Sequence, residues 1–391
     1  MPWNLRDKYA IVGVGNSRLG AVPGCSAVGL LVDAIASAID DAGIAKDEID
    51  GLITRGPDDV YCHHQRIGQA LGLDVSFSTT LDNGGASQCM AVGLACMAIE
   101  SGLCKTVVCG YGRDSWSRTR SPAKKMRVAL IPEAQQAKEF GPEFGFIGAA
   151  GMHALGARRH MHEYGTTREH LGAVATTFRR HAMRNPAAQM REPLSLGQYL
   201  DARWIVEPFA LYDCSLVTDG AGAVIVTSAD RARHLRQPPV RVLASASANN
   251  LRGWFHGDHM TRTPAAQSGK AAFEMAGIGP KDIDTAQLYD CFTYMVLVQL
   301  EDYGFCTKGE AGPLAASGAL ALDGELPCNT SGGQLSEGHV EGMLQIVEGV
   351  RQLRRTYPAE RQVPDARLAL ISGHGGNTVC HSTLILGAAD R

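Results

Sequence analysis

The chain has 391 residues, more than one ordinary domain and suited to two domains or to one duplicated unit. Hydrophobic residues make up 45% and charged residues 20%, enough to bury a large core, yet no apolar run reaches the about 18 residues needed to span a membrane. A formal charge of -3 with no basic stripe argues against a nucleic-acid partner.

The first apolar run, Tyr9 to Val14, is strand-length and ends in Gly13-Val14-Gly15, which is not the pattern of a signal peptide. The stretch GVGNSRLG at 13–20 is only a loose glycine run and lacks the spacing of a phosphate loop. A helix is predicted over Val28 to Ala42 and a strand over Gly51 to Thr54. Cys62 is followed by His63 and His64, but no paired CxxC accompanies them, so a surface loop is expected rather than a metal site. The 11 cysteines show no disulfide-framework spacing, and the chain reads as cytoplasmic with reduced thiols.

Further along, a helix is predicted over Ala86 to Gly102, with strands at Val107 to Cys109 and Ala223 to Val226. Helices at Ser268 to Ala276 and Gly338 to Leu353, and strands at Thr285 to Tyr289 and Leu368 to Ile371, complete the pattern. Strands alternating with helices imply a mostly parallel sheet covered on its faces.

The pattern occurs twice. AGIAKDEIDGLIT at 42–54 matches AGIGPKDIDTAQLYD at 276–290: a helix stops at Ala-Gly, a short connection follows, and Ile-Asp leads into an apolar strand. TVVCGYG at 106–112 pairs with ALISGHG at 369–375, and AGAVIVTS near 221–228 pairs with STLILG near 382–387. Three matches in the same order argue for one α/β unit present twice, with halves at 1–235 and 236–391. Residues 113 to about 212 have no counterpart in the second half. Rich in Arg, His, Met and Pro, they are expected to form a lid-like insertion over the site.

Five ordered motifs carry a resemblance to the sterol-carrier-protein type of thiolase. They are RHMHEYGTTREHL at 159–171, YDCSLVTDGAGAVIV at 212–226, YDCF at 289–292, NTSGGQLSEGH at 329–339 and GHGG at 373–376. YDCF resembles the family's HDCF loop, and NTSGGQLSEGH its NPSGG…GHP loop. The resemblance covers nearly the whole chain. It implies an α/β thiolase fold, with duplicated βαβαβαββ halves packed as a five-layer αβαβα sandwich.

Three departures stand out. The run DNGGASQCMAVG at 82–93 resembles the family's nucleophile loop, but the position of the nucleophilic cysteine falls on Gly85. Tyr289 replaces the histidine of HDCF. Third, the NTSGGQLSEGH motif keeps His339 but runs on as GHV rather than GHP. These changes resemble the thiolase-like aldolases that remove steroid side chains, which also lack the nucleophile and use tyrosine chemistry.

The residues permit the following roles. Tyr289, at a strand end, can hydrogen-bond a thioester or alkoxide oxygen or exchange a proton. Cys291 occupies the position resembling the family's acid/base cysteine and can protonate an enolate, or lie buried and inert. His339 is expected at a helix N-terminus, where a neutral imidazole can polarise a thioester oxygen. The Gly85 and Gly375 N–H groups, with Asn329 and His374, are the candidate substrate- and oxyanion-binding groups. Asp290 is read as holding loop structure. Cys89, placed about one turn inside its helix in a stripe with Ala86, Gly93, Cys96 and Met97, is read as a core cysteine rather than a substitute nucleophile.

The expected reaction is retro-aldol cleavage of a β-hydroxyacyl-CoA without a covalent acyl-enzyme. Tyr289 takes the hydroxyl proton, His339 polarises the thioester, and Cys291 or a water protonates the enolate. The alternatives are a thiolase acting on β-ketoacyl-CoA and a non-catalytic subunit of an acyl-CoA-processing complex. No cofactor or metal is expected in this chain, and coenzyme A enters as part of the substrate. The resemblance implies a homodimer, and a small OB-fold, zinc-ribbon acyl-CoA-binding partner that would carry the zinc.

Overall fold

The structure, a computed structural model, describes residues 4–56, 61–120, 148–251, 260–376 and 378–389. The first half runs β1 (Tyr9–Asn16), α1 (Ala27–Ala42), β2 (Gly51–Arg55), α2 (His63–Leu71), β3 (Phe77–Thr80), α3 (Ser87–Glu100) and β4 (Thr106–Asp114). The insertion follows as α4 (Ser115–Arg120), α5 (Gly148–Tyr164), α6 (Arg168–Met183), α7 (Leu196–Leu200) and the hairpin β5 (Trp204–Val206) and β6 (Phe209–Ala210). Its residues 121–147 lie outside the described residues. Next come β7 (Asp219–Ser228), α8 (Ala229–Ala232) and β8 (Val240–Asn249). The chain ends with α9 (Ala265–Ala276), β9 (Thr285–Gln287), α10 (Thr293–Asp302), α11 (Ala311–Ala316), α12 (Gly333–Ser336), α13 (Met343–Arg354), β10 (Leu368–Gly375) and β11 (Cys380–Gly387).

The repeat is visible in its punctuation. Helix α1 is capped by Ser26, whose side chain accepts from the Gly29 N–H, and it stops at Gly43 in the left-handed region. Helix α9 stops the same way at Gly277. Each is followed by a short 3-10 turn, Lys46–Glu48 or Pro280–Asp282, and then by a strand. Along α1, Leu30, Leu31, Ala34, Ile35 and Ala38 are buried at helical spacing, and each large aliphatic among them contributes about 1.5–3 kcal/mol.

The strands hydrogen-bond in the order β3-β2-β4-β7-β1-β8-β11-β10-β9. Read outward from the junction, β1, β7, β4 and β2 correspond to β8, β11, β10 and β9. The pairing of β3 with β2 has its counterpart in an isolated parallel bridge between Ala286 and Cys328. Only two residue pairs, Ala10 with Arg241 and Ile11 with Val240, join the halves through β1 and β8.

The expectation of a mostly parallel sheet is corrected. Only the outer pairs β2–β3, β2–β4 and β9–β10 are parallel, whereas every pair from β4 across to β10 through the centre is antiparallel. The cause is burial: β7, β10 and β11 are covered on both faces, so they read as continuous apolar runs like parallel strands.

The layers follow from the packing. Helix α1 covers β1, β4 and β7 on one outer face, and α9 covers β8 and β11 on the other. Between them, α3 touches β2, β4 and β7 of the first half and β8, β10 and β11 of the second, and α13 likewise packs on both. This is a five-layer αβαβα sandwich. It brings the C-terminal ends of the parallel strands β2, β4, β9 and β10 close to the N-terminus of α3, the usual place for a site in an α/β fold.

Candidate active site

A cavity of 240 Å³ opens where these strand ends meet the loop before α3. It is lined by Gly85, Tyr289, Cys291, His339, His374 and Gly375, so six of the residues singled out in the sequence converge. A larger cleft of 350 Å³, near Lys281, Phe305 and Glu325, gathers no comparable set of chemical groups.

Two glycines shape the cavity. At Gly375, a Cβ would lie 1.9 Å from the Asn83 carbonyl oxygen, so the loops 82–86 and 373–376 meet backbone to backbone only because no side chain intervenes. At Gly85, a Cβ would lie 2.2 Å from Tyr289 Oη and 2.3 Å from its Cζ. The phenol therefore occupies the volume that a side chain at position 85 would need.

Tyr289 Oη is 3.5 Å from His339 Nε2, and His339 Nδ1 is 3.1 Å from Ser215 Oγ. Burial raises the Tyr289 phenol well above its ordinary range, and Glu341 and Cys291 add to this while Arg113 and Arg55 pull it back. Tyr289 is thus a neutral donor, able to take a proton only by handing on its own. His339 is held neutral by burial and by Arg113 and Arg55. The sequence assigned this effect to a helix N-terminus. Helix α13, however, begins at Met343, and His339 sits in the loop before it.

Cys291 is buried, and desolvation raises its thiol well above the ordinary value, leaving a neutral acid. Glu341 lies 2.6 Å from Arg55 and 3.7 Å from Arg113, which fixes two cations beside the phenol.

Asn329 is not among the cavity-lining residues. Its Oδ1 accepts from the Leu288 N–H at 2.7 Å and its Nδ2 donates to the Leu288 carbonyl at 2.8 Å, so its amide is used in holding the strand end that presents Tyr289. Asn329→Ala would orphan two buried backbone groups and is expected to cost about 3 kcal/mol in a denaturant titration. Asp290 is likewise structural. Its carboxylate receives the Gln334 and Leu335 N–H groups at 2.9 and 3.2 Å and Gln345 Nε2 at 3.0 Å.

Cys89 lies in the first turn of α3, not one turn inside it, because that helix starts at Ser87. The helix terminus would favour a thiolate, but complete burial wins and pushes the thiol up to about 12. Its sulfur faces the Ile371 carbonyl at 3.9 Å, away from the cavity. Of the stripe assigned to it, Met97 is 48% exposed and does not belong to the core. Cys89→Ala is expected to leave kcat within about twofold and to lower stability by about 1 kcal/mol, read from kinetics and thermal melting.

Cys62 and the two histidines start helix α2 instead of forming a loop. His63 Nδ1 lies 3.0 Å from Thr54 Oγ1, and His64 Nδ1 lies 2.7 Å from Thr80 Oγ1. Among the described residues no group of three or more His, Cys, Asp or Glu is arranged to hold a metal, and no helix is long and apolar enough to cross a membrane.

The sequence missed Arg113, His153, Ser215 and Glu341, all of which line the cavity. His153 lies in the insertion, on α5. The histidine-rich composition of that segment was the one available signal, and it did not single out a position.

The protein-family model for the thiolase N-terminal domain matches residues 10–195, and that described as thiolase C-terminal domain-like matches residues 246–388. The chain is 36% identical to a steroid side-chain-cleaving aldolase of Thermomonospora curvata, covering 97% of each protein. It is 35% identical to the 17-hydroxy-3-oxo-4-pregnene-20-carboxyl-CoA lyase of Mycobacterium tuberculosis, over 98% of this chain and 100% of the relative. Among solved structures it is similar to an Ltp2-ChsH2(DUF35) aldolase, with a TM-score of 0.88, 35% identity and full coverage of both chains.

Proposed function

The chain belongs to the thiolase superfamily, and from that premise we propose that it cleaves the Cα–Cβ bond of a β-hydroxyacyl-CoA by a retro-aldol reaction, with no covalent acyl-enzyme. The observation that carries this reading is the Tyr289 phenol standing in the space a nucleophilic side chain at position 85 would fill. Covalent acyl transfer needs a reactive nucleophile at the carbonyl, and the buried Cys89 thiol does not supply one. The aldolase and lyase named among the relatives support the same chemistry.

In this reading Tyr289 donates a hydrogen bond to the oxygen that gains charge as the bond breaks, and His339 holds the phenol in position. The Gly85 and Gly375 N–H groups and His374 border the same oxygen. Arg113 and Arg55 favour an anion there over a second cation. Cys291, a neutral thiol on the cavity wall, gives a proton to Cα, and the proton released from the β-hydroxyl restores the thiol, so the reaction consumes no proton. The 240 Å³ cavity accommodates the reacting carbons, with the coenzyme lying outside it.

We further infer a homodimer and a small OB-fold, zinc-ribbon acyl-CoA-binding partner. The pairing of two proteins named for the similar solved aldolase supports the partner.

The test is to offer the purified chain, alone and with its partner, a β-hydroxyacyl-CoA and the matching β-ketoacyl-CoA with free CoA. The 17-hydroxy-3-oxo-4-pregnene-20-carboxyl-CoA named for the M. tuberculosis relative is the first hydroxy substrate to try. Equimolar ketone and shortened acyl-CoA are expected from the hydroxy compound, with the intact protein mass unchanged. Thiolysis of the keto compound with an acyl adduct on the protein would overturn the proposal.

A further inference from the structure

Polar groups make up most of the cavity wall. Of the fourteen described residues that line it, four are glycines, and only Ala149 and Phe292 carry hydrocarbon side chains. Pockets for apolar ligands are lined mostly by hydrophobic side chains, so these walls suit a polar substituent beside the reacting carbons. One charge on the wall is underused. Arg113, close to the end of β4, donates through Nε to Ser115 Oγ at 2.8 Å. Its Nη1 reaches the His339 carbonyl at 3.4 Å and Glu341 at 3.7 Å, both long contacts. Its Nη2 has no hydrogen-bonding partner among the described residues, and it is not one of the enclosed polar atoms left unpaired. The Nη2 N–H groups therefore face open space at the cavity wall.

A guanidinium edge placed this way calls for an anion. Glu341 is the one carboxylate among the lining residues, and it lies closer to Arg55, at 2.6 Å, than to Arg113. Burial holds Tyr289, Cys291 and His339 neutral. An acyl-CoA can bring three anions: coenzyme phosphates, the enolate oxygen formed in the reaction, and a carboxylate on the acyl group. The phosphates lie at the far end of the pantetheine arm from the thioester, outside the cavity. The enolate oxygen has the Tyr289 phenol and the Gly85 and Gly375 N–H groups as its donors. A carboxylate on the acyl group is left, and the half of the substrate with no assigned wall is the one that leaves as the ketone.

We propose that Arg113 binds a carboxylate of the substrate, and that the substrate is a β-hydroxyacyl-CoA whose β-substituent ends in that carboxylate. The carboxylate takes the Nη2 N–H groups, alone or with Nη1 in the paired geometry that a guanidinium offers. Ser115 holds Nε, so the edge is in place before the substrate arrives. Cleavage then gives a keto acid and the shortened acyl-CoA. The hydroxyl O–H and the Cα–Cβ bond break, and the electron pair of the latter goes to the thioester enolate. Cys291 protonates Cα, and the hydroxyl proton restores the thiol.

This inference rests on the retro-aldol reading, and the experiment separates the two. The probes are 3-hydroxy-3-methylglutaryl-CoA and its ω-amide, alike in shape and different in charge. For the parent chain, kcat/KM is expected to be about 10–100-fold higher on the acid, the worth of a charge-assisted hydrogen-bonded pair. In Arg113→Met that ratio is expected to fall to about one. The ratio is the readout because any effect of the substitution on the shared enolate step cancels in it. Arg113→Lys keeps the charge and loses the fork, so it should show a preference of intermediate size, and it serves if the Met variant does not fold. Glutaryl-CoA and its ω-amide lack the β-hydroxyl and cannot be cleaved this way, and their binding to the same proteins is measured by calorimetry. Tighter binding of glutaryl-CoA that is lost in Arg113→Met, with no cleavage of either hydroxy compound, would refute the reaction and leave the carboxylate subsite standing. Equal treatment of acid and amide by the parent, or a preference that survives undiminished in the folded Arg113 variants, would overturn the inference itself.

Discussion

Tyr289→Phe is expected to lower kcat on a β-hydroxyacyl-CoA by about 10²–10³-fold, the usual cost of losing one preorganised donor to a developing oxyanion. The ring would stay, so the volume against Gly85 remains filled, and thermal melting should move little. KM should also hold, because the donor contributes most where charge has developed. The phenol is raised well above its ordinary range, mainly by burial, so it is protonated across the working pH range. For an acid with a raised pKa, the neutral form persists to higher pH. The parent kcat should therefore show no rise attributable to phenolate formation. Steady-state kinetics on both proteins from pH 6 to pH 9 would check this, and unchanged turnover in the Phe variant would remove Tyr289 from the mechanism.

The duplicated fold was legible because its boundaries are local. A glycine in the left-handed region ends α1 and α9 alike, and the strands that follow share an Ile-Asp entry. Strand direction was not legible, since doubly buried antiparallel strands lose the alternation that would mark them. The site was legible where a motif fixes a backbone position, as at Tyr289, His339 and Gly85. It was not legible where orientation decides the role. Asn329 sits in a matched loop, yet its amide turns to the Leu288 backbone and not to the cavity. Nor does spacing reveal convergence between distant segments. Arg113 ends β4, His153 lies in the insertion and Glu341 follows a matched loop, and only the assembled layers bring them to one wall.

Gly85→Cys should abolish turnover, and adding Tyr289→His should relieve the damage while changing the chemistry. Gly85 does not have a positive φ, so the backbone itself accepts a side chain there. Space is what forbids it: contacts of 2.2 Å to the phenol compare with ordinary van der Waals contact from 3.4 Å upward. The single variant must push Tyr289 aside. The expected result is an overpacking cost of about 1–3 kcal/mol and a loss of activity at least as large as in Tyr289→Phe. The shorter imidazole at 289 vacates the position of the phenol oxygen. A thiol at 85, just ahead of α3 and on the cavity wall, would have the unpaired N–H groups of the helix start near it to offset the burial of that position. The double variant should then melt close to the parent temperature and gain mass on incubation with a short acyl-CoA, whereas the parent does not. Thermal melts of the four proteins form a double-mutant cycle, and the clash predicts a favourable coupling of at least about 1 kcal/mol between positions 85 and 289. Additive effects would mean that the phenol does not hold the place of the missing side chain, and the case for a non-covalent reaction would lose its main support.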